Sequence, residues 1–129
     1  AFKNSNGQLP PAAARLTQAV ARLRDIRGLL AAGLRSYEQA LGDEKSLISL
    51  EFQSMITLMK VQVSELACET VLEAMRASGL AGYRNDGDFS IGRHLRDVLS
   101  APIMINNDRI LANLAETSLV TALPSSIDV

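Results

Sequence analysis

The sequence has no Trp, one Cys and one His in 129 residues, and aromatic side chains make up only 4% of it. A single thiol, Cys68, excludes an intrachain disulfide framework and a multi-thiolate metal site, which leaves it as core filler. With His94 as the lone histidine, neither a helical His pair for a metal nor a Cys–His couple for nucleophilic catalysis can be assembled, so no metal is expected. Charge of either sign is not in excess: 13 basic side chains stand against 14 acidic ones. Such a chain has no long-range field to draw in nucleic acid or an anionic membrane. No apolar run approaches the roughly 18 residues needed to cross a bilayer. The opening Ala1-Phe2-Lys3-Asn4-Ser5-Asn6 lacks the apolar stretch of a signal peptide. The expectation is a cytoplasmic protein without nucleic-acid or membrane partners, and its polar, irregular first nine residues suggest a longer chain cut in a loop.

What is present is 47% apolar residues, drawn from Leu, Ile, Val, Met and Ala, which favour helix over strand. One domain of this length buries about two thirds of its unfolded surface. The boundaries read as a single helical bundle over residues 1–129, with an ordered core from about 10 to 120 and a loose tail over 121–129. Pro10 and Pro11 suit a first helical turn. The series Leu16, Val20, Leu23, Ile26, Leu30, Leu34, Tyr37, Leu41 then advances by three or four residues and predicts one stripe facing a core. Arg15, Arg22, Arg24, Arg27 and Arg35 read as the solvated outer face of that helix. Gly42 is expected to close it, and Ser46 to cap a second helix running to Gly79. Apolar residues occupy more than one stripe of this second helix, which should therefore lie centrally and touch several neighbours. Asp88 or Ser90 is expected to cap a third helix from 91 to about 100, with Pro102 bending or ending it. Asn106 and Asn107 are cap residues for a fourth, whose inner side carries Ile110, Leu111 and Leu114. Short connections between such helices predict an all-α, antiparallel four-helix bundle.

Few of these residues can carry chemistry unaided. Arg96 and Asp97 are adjacent on a helix and point apart, so each must find its own partner. The glycines near 79 follow a helix and lack the Lys of a phosphate-binding loop.

Read in order, Gly79-Leu80-Ala81-Gly82-Tyr83, then Arg96-Asp97, then Asn107-Asp108-Arg109-Ile110 resemble the C-terminal signature of the acyl-CoA dehydrogenase family. That signature has a Gly-Gly-x-Gly-Tyr/Phe turn, an Arg-Asp-Ala on the next helix and a Glu-Gly-Thr-x-x-Ile opening the last, and no motif here matches in full. The resemblance covers residues 16–119 and implies a flavoprotein whose helical domain closes over FAD held mainly by upstream domains. In the family, a Gln before the double glycine and a backbone position within it meet the FAD of a neighbouring subunit. The corresponding positions are Arg76 and Leu80. Arg76 could pair with a pyrophosphate, or sit on the surface near the end of its helix. At the start of the last helix the resemblance implies FAD contacts from Asn107, as cap and flavin-facing donor, and Arg109.

The departure lies at the base. Where the family commonly places the Glu that abstracts the α-proton, this chain has Ile105, and the nearest carboxylate, Asp108, is also explained as a helix-dipole partner. The resemblance implies α,β-desaturation of an acyl thioester, with an electron-transfer flavoprotein as acceptor and a homotetramer as the assembly. A flavin monooxygenase on the same fold, which needs no such Glu, and a non-enzymatic helical interaction module are the alternatives.

Overall fold

The computed structural model describes residues 6–118. Helix α1 (Ala12–Ala40) follows Pro10 and Pro11, whose carbonyls accept from Ala13 and Ala14. It stops where Leu41 turns extended and Gly42 takes φ 86°, as anticipated for that glycine. Asp43 then caps a short α2 (Glu44–Leu47), accepting from the Lys45 N–H at 3.1 Å and the Ser46 hydroxyl at 2.7 Å. Those bonds hold the Asp43 carboxyl below its ordinary pKa, the Ser46 hydroxyl being the main cause. Ser46 is therefore not the cap of one continuous second helix. The chain restarts at Ser49, whose hydroxyl accepts from the Phe52 N–H at 3.2 Å, and runs as α3 (Leu50–Ser78). Gly79, with φ 62°, ends α3 as expected.

Beyond it come α4 (Leu80–Tyr83), α5 (Gly92–Leu99), α6 (Ala101–Met104) and α7 (Asn107–Ser118). Neither Asp88 nor Ser90 caps α5, which begins at Ile91 without a side-chain cap bond. Pro102 lies in the first turn of α6, where its missing N–H is tolerated, and α5 has stopped before it. No strand occurs among the described residues, so the class is all-α. In place of four comparable helices, α1 and α3 form a hairpin of two 29-residue rods. The shorter α4 to α7 lie on α3, which holds the central place expected of it. The expected loose tail lies outside the described residues.

The seam between α1 and α3 corrects the sequence reading. Leu16, Val20, Leu23, Leu30, Leu34, Tyr37 and Leu41 are exposed, Val20 at 59% and Leu34 at 57%. The face toward α3 is displaced by one position and built on small residues: Ala19, Gly33 and Ala40 are its buried members. Gly33 lets Met59 lie directly on the α1 backbone: an added Cβ would stand 2.3 Å from the Met59 sulfur and force that side chain to move. Small side chains let the two backbones approach, and they hardly register in a count of hydrophobic periodicity. The same face turns Arg15 and Arg22 onto α3, where Arg15 meets Glu73 at 3.4 Å and Arg22 meets Glu69 at 2.8 Å. Glu73 is buried, and Arg22 at 3.9 Å and Arg76 at 3.8 Å complete its ring of cations. Arg24, Arg27 and Arg35 stay outside, as expected of all five.

At the far end of α3, Gly82 is buried, and its carbonyl accepts from the Ile91 N–H at 2.9 Å. A Cβ there would stand 2.6 Å from Cβ of Ser78, an atom fixed to the helix. Gly82→Ala is expected to destabilise the chain by about 1–3 kcal/mol through this overpacking. A lower urea midpoint at unchanged slope would show it, and an unchanged midpoint would refute the contact.

Candidate functional site

The turn joining α6 to α7 is fastened to the middle of α3 by one lysine. Lys60 is the sole lysine of α3, set between Met59 and Val61. Its ammonium donates to the Ala101 carbonyl at 2.9 Å, to the Ile105 carbonyl, and to Oδ1 of Asn107 at 2.6 Å. All three of its N–H groups are thereby engaged, and a cation lies against carbonyls at the two ends of α6, Ala101 at its start and Ile105 just past its end. Because an ammonium can only donate, it fixes which way the Asn107 amide faces. The Nδ2 of Asn107 donates to Oγ of Ser64 at 2.9 Å and to Oε1 of Glu65 at 2.8 Å. Asn107 is 2% exposed, and its side chain has both donors and its acceptor satisfied inside the chain.

The helix cap at this point belongs to Asn106. Its Oδ1 accepts from the Asp108 N–H at 2.9 Å and the Arg109 N–H at 3.2 Å. Asn107 is therefore not the cap, and its amide is not a free donor facing outward. What the start of α7 presents outward is Asp108 and Arg109, both exposed. Ile105 stands beside them, 65% exposed, with an apolar side chain that cannot accept a proton. On the inner side of α7, Ile110 and Leu114 are half-buried, while Leu111 is exposed, against expectation. An open groove of about 180 Å³ between α3 and α7 is lined by Gln53, Ser54, Thr57, Ile110, Asn113, Leu114 and Thr117. It is smaller than the ~300–1,000 Å³ of typical small-molecule sites and cannot cradle a dinucleotide.

Arg76 and Leu80 lie elsewhere. Arg76 is exposed in the last turn of α3, within 3.8 Å of Glu73, and Leu80 is 71% exposed at the start of α4. The bonds of Asn107 set the start of α7 level with residues 60–65 of α3. At 1.5 Å per residue, Arg76 stands roughly 16–24 Å farther along that helix. The four positions thus form two separate edges rather than one pocket. His94 and Arg96 are exposed on α5, and Asp97 finds its own partner in Arg93 at 3.7 Å. Cys68 is half-buried and donates to the Val98 carbonyl, and burial raises its thiol pKa, which suits packing rather than reactivity.

A family model for the acyl-CoA dehydrogenase C-terminal domain matches residues 7–117. The chain belongs to the acyl-CoA dehydrogenase C-terminal domain family. No curated protein and no solved structure matches it significantly. Two of the three stretches that carry the resemblance, the Gly79–Gly82 turn and the α6–α7 turn, are ordered by bonds to α3 or its end, and the third, Arg96-Asp97, lies on α5.

Sequence reasoning passed over Lys60, Ser64, Glu65 and Glu73. One signal was available for the first: a lone lysine in a helix whose neighbouring positions are Met and Val has either a solvent path or a set of oxygen partners.

Proposed function

We propose that this acyl-CoA dehydrogenase C-terminal domain forms the helical lid of an FAD-dependent enzyme that desaturates an acyl thioester between its α and β carbons. The observation that carries this reading is the pair of exposed, separately placed arginine edges on an ordered turn and a helix end, within a chain of this family. Both edges suit FAD: Arg109 and Arg76 offer guanidinium groups for ribose or pyrophosphate oxygens, and Leu80, whose carbonyl accepts from the Arg84 N–H, offers its own N–H at the exposed start of α4. Their spacing fits contact with two cofactors, one on each side of an oligomer, better than two contacts on one. When bound, FAD supplies the hydride acceptor.

The chain's own contribution is positional. Lys60 and Asn107 hold the turn so that Arg109 projects from a fixed helix start, and Ile105 gives the substrate side an apolar wall. Ile105 cannot serve as base and Asp108 is the only carboxylate of the turn, so the α-proton is removed by a group outside it or by Asp108. An electron-transfer flavoprotein as acceptor and a homotetramer as assembly belong to the same reading.

Two experiments test it. The 129-residue chain alone is expected to retain little FAD and to leave an acyl-CoA unoxidised; a yellow chain bleached by acyl-CoA would refute the lid role. The protein joining this domain to its flavin-binding domains should lose visible flavin absorbance anaerobically on adding an acyl thioester, with a 2-enoyl product. Flavin reduced only by an external reductant, followed by oxygen-dependent hydroxylation, would favour the monooxygenase instead.

A further inference from the structure

Glu73 draws in more cations than it can neutralise. It is buried, and around its Oε1 stand three guanidinium nitrogens: Arg15 at 3.4 Å and Arg22 at 3.9 Å from α1, and Arg76 at 3.8 Å from its own helix. These arginines face two carboxylates, Glu73 and Glu69, so the cluster keeps a positive charge. Arg22 is spent, because it donates to Glu69 at 2.8 Å and to Gln18 and is half-buried. Arg15 and Arg76 are less committed. Arg15 reaches Glu73 at 3.4 Å and Arg76 at 3.8 Å, and their side chains are 43% and 51% exposed. Both distances exceed the ~2.8 Å of a tight guanidinium–carboxylate bond. A guanidinium carries five N–H donors in a planar fork, and in both residues the contact with Glu73 runs through Nη1.

We propose that Arg15 joins Arg76 in a clamp for a diphosphate ester, each guanidinium taking one phosphate of the FAD diphosphate. Two guanidinium groups repel one another, and Glu73 between them is what keeps this pair side by side. A single phosphate would be served by Arg76 alone, whereas a diphosphate has the charge and the length to engage two neighbouring forks. The hairpin makes the pairing possible: α1 begins where α3 ends, so Arg15 in the first turns of α1 arrives beside the last turn of α3 and the Leu80 N–H that follows it. The proposal rests on the reading of Arg76 as an FAD contact and adds to that edge a residue that the periodicity of α1 assigns to solvent. CoA also carries a diphosphate. The two sources differ in what the clamp would control, flavin affinity or the KM for the thioester.

The test uses the protein that joins this domain to its flavin-binding domains, freed of flavin and titrated with FAD at temperatures equally far below each variant's melting point. Arg15→Ala should raise the Kd for FAD by about tenfold or more, as expected for loss of a charge-assisted hydrogen bond. The KM for the acyl thioester at saturating FAD should not change. Arg22→Ala, which removes neighbouring ion pairs between α1 and α3, and Arg24→Ala, which removes the same charge from the outer face, should bind FAD as the parent does. Unchanged affinity in Arg15→Ala with weakened affinity in Arg76→Ala would overturn this proposal and leave the flavin reading of that edge standing. Unchanged affinity in both would overturn the two together. Equal losses in Arg15→Ala and Arg22→Ala would also overturn it, by tracing the effect to the seam between the helices. A raised KM with FAD affinity intact would give the clamp to CoA and overturn its assignment to FAD.

Discussion

Asn107→Ala should lower the stability of the chain by about 3 kcal/mol, or roughly 10 °C in melting temperature. The side chain it removes is 2% exposed and takes part in three hydrogen bonds, to Lys60, Ser64 and Glu65. Its loss leaves the half-buried Lys60 ammonium short of one acceptor and the buried Ser64 hydroxyl without its donor, and desolvated groups left unpaired are what make such changes costly. Asn106→Ala removes an exposed cap that accepts two backbone N–H groups, and caps contribute about 1 kcal/mol. The two neighbours, identical in chemistry, should therefore differ by about 2 kcal/mol in urea denaturation. Equal losses would mean that the network around Lys60 contributes no more than an ordinary cap. Hydrogen exchange should localise the effect, with protection falling first in α6 and the start of α7, because the bonds of Lys60 and Asn107 are what fasten this turn to α3.

The hydrophobic period of the sequence located the long helices, and the glycines at 42 and 79 located two of their ends, because a positive φ is a local requirement that glycine meets. The direction of α1 was not legible. Its leucine stripe and its small-residue seam both advance by three and four, and periodicity shows that a helix has an apolar face without showing which chain covers it. Ala19, Gly33 and Ala40 win the position against α3 because they permit close approach, a property of shape rather than hydrophobicity. At the α6–α7 turn, residue type alone could not separate Asn106 from Asn107, since each can cap a helix. What separates them is Lys60, whose acceptors lie more than forty residues away and include two backbone carbonyls that no motif encodes. Family resemblance supplied Arg76, Leu80, Asn107 and Arg109 as a set, and the fold divides that set between two edges.

The flavin reading makes its largest demand on the arginines. A guanidinium bonded to a phosphate or ribose oxygen contributes about 2 kcal/mol, so Arg109→Ala and Arg76→Ala should each weaken FAD binding roughly thirtyfold. Neither residue's removal empties a core, since both are exposed. Leu114→Ala, at a half-buried position of α7, is the opposite case: it should lower stability by packing loss and leave cofactor affinity in place. The deciding measurement is the FAD content of these three variants, in the protein that carries the flavin-binding domains, after dialysis at temperatures set equally far below each melting point. The lid account predicts that the two arginine variants lose FAD while Leu114→Ala keeps it. Equal retention in all three would contradict it and leave both edges of this domain as structural turns.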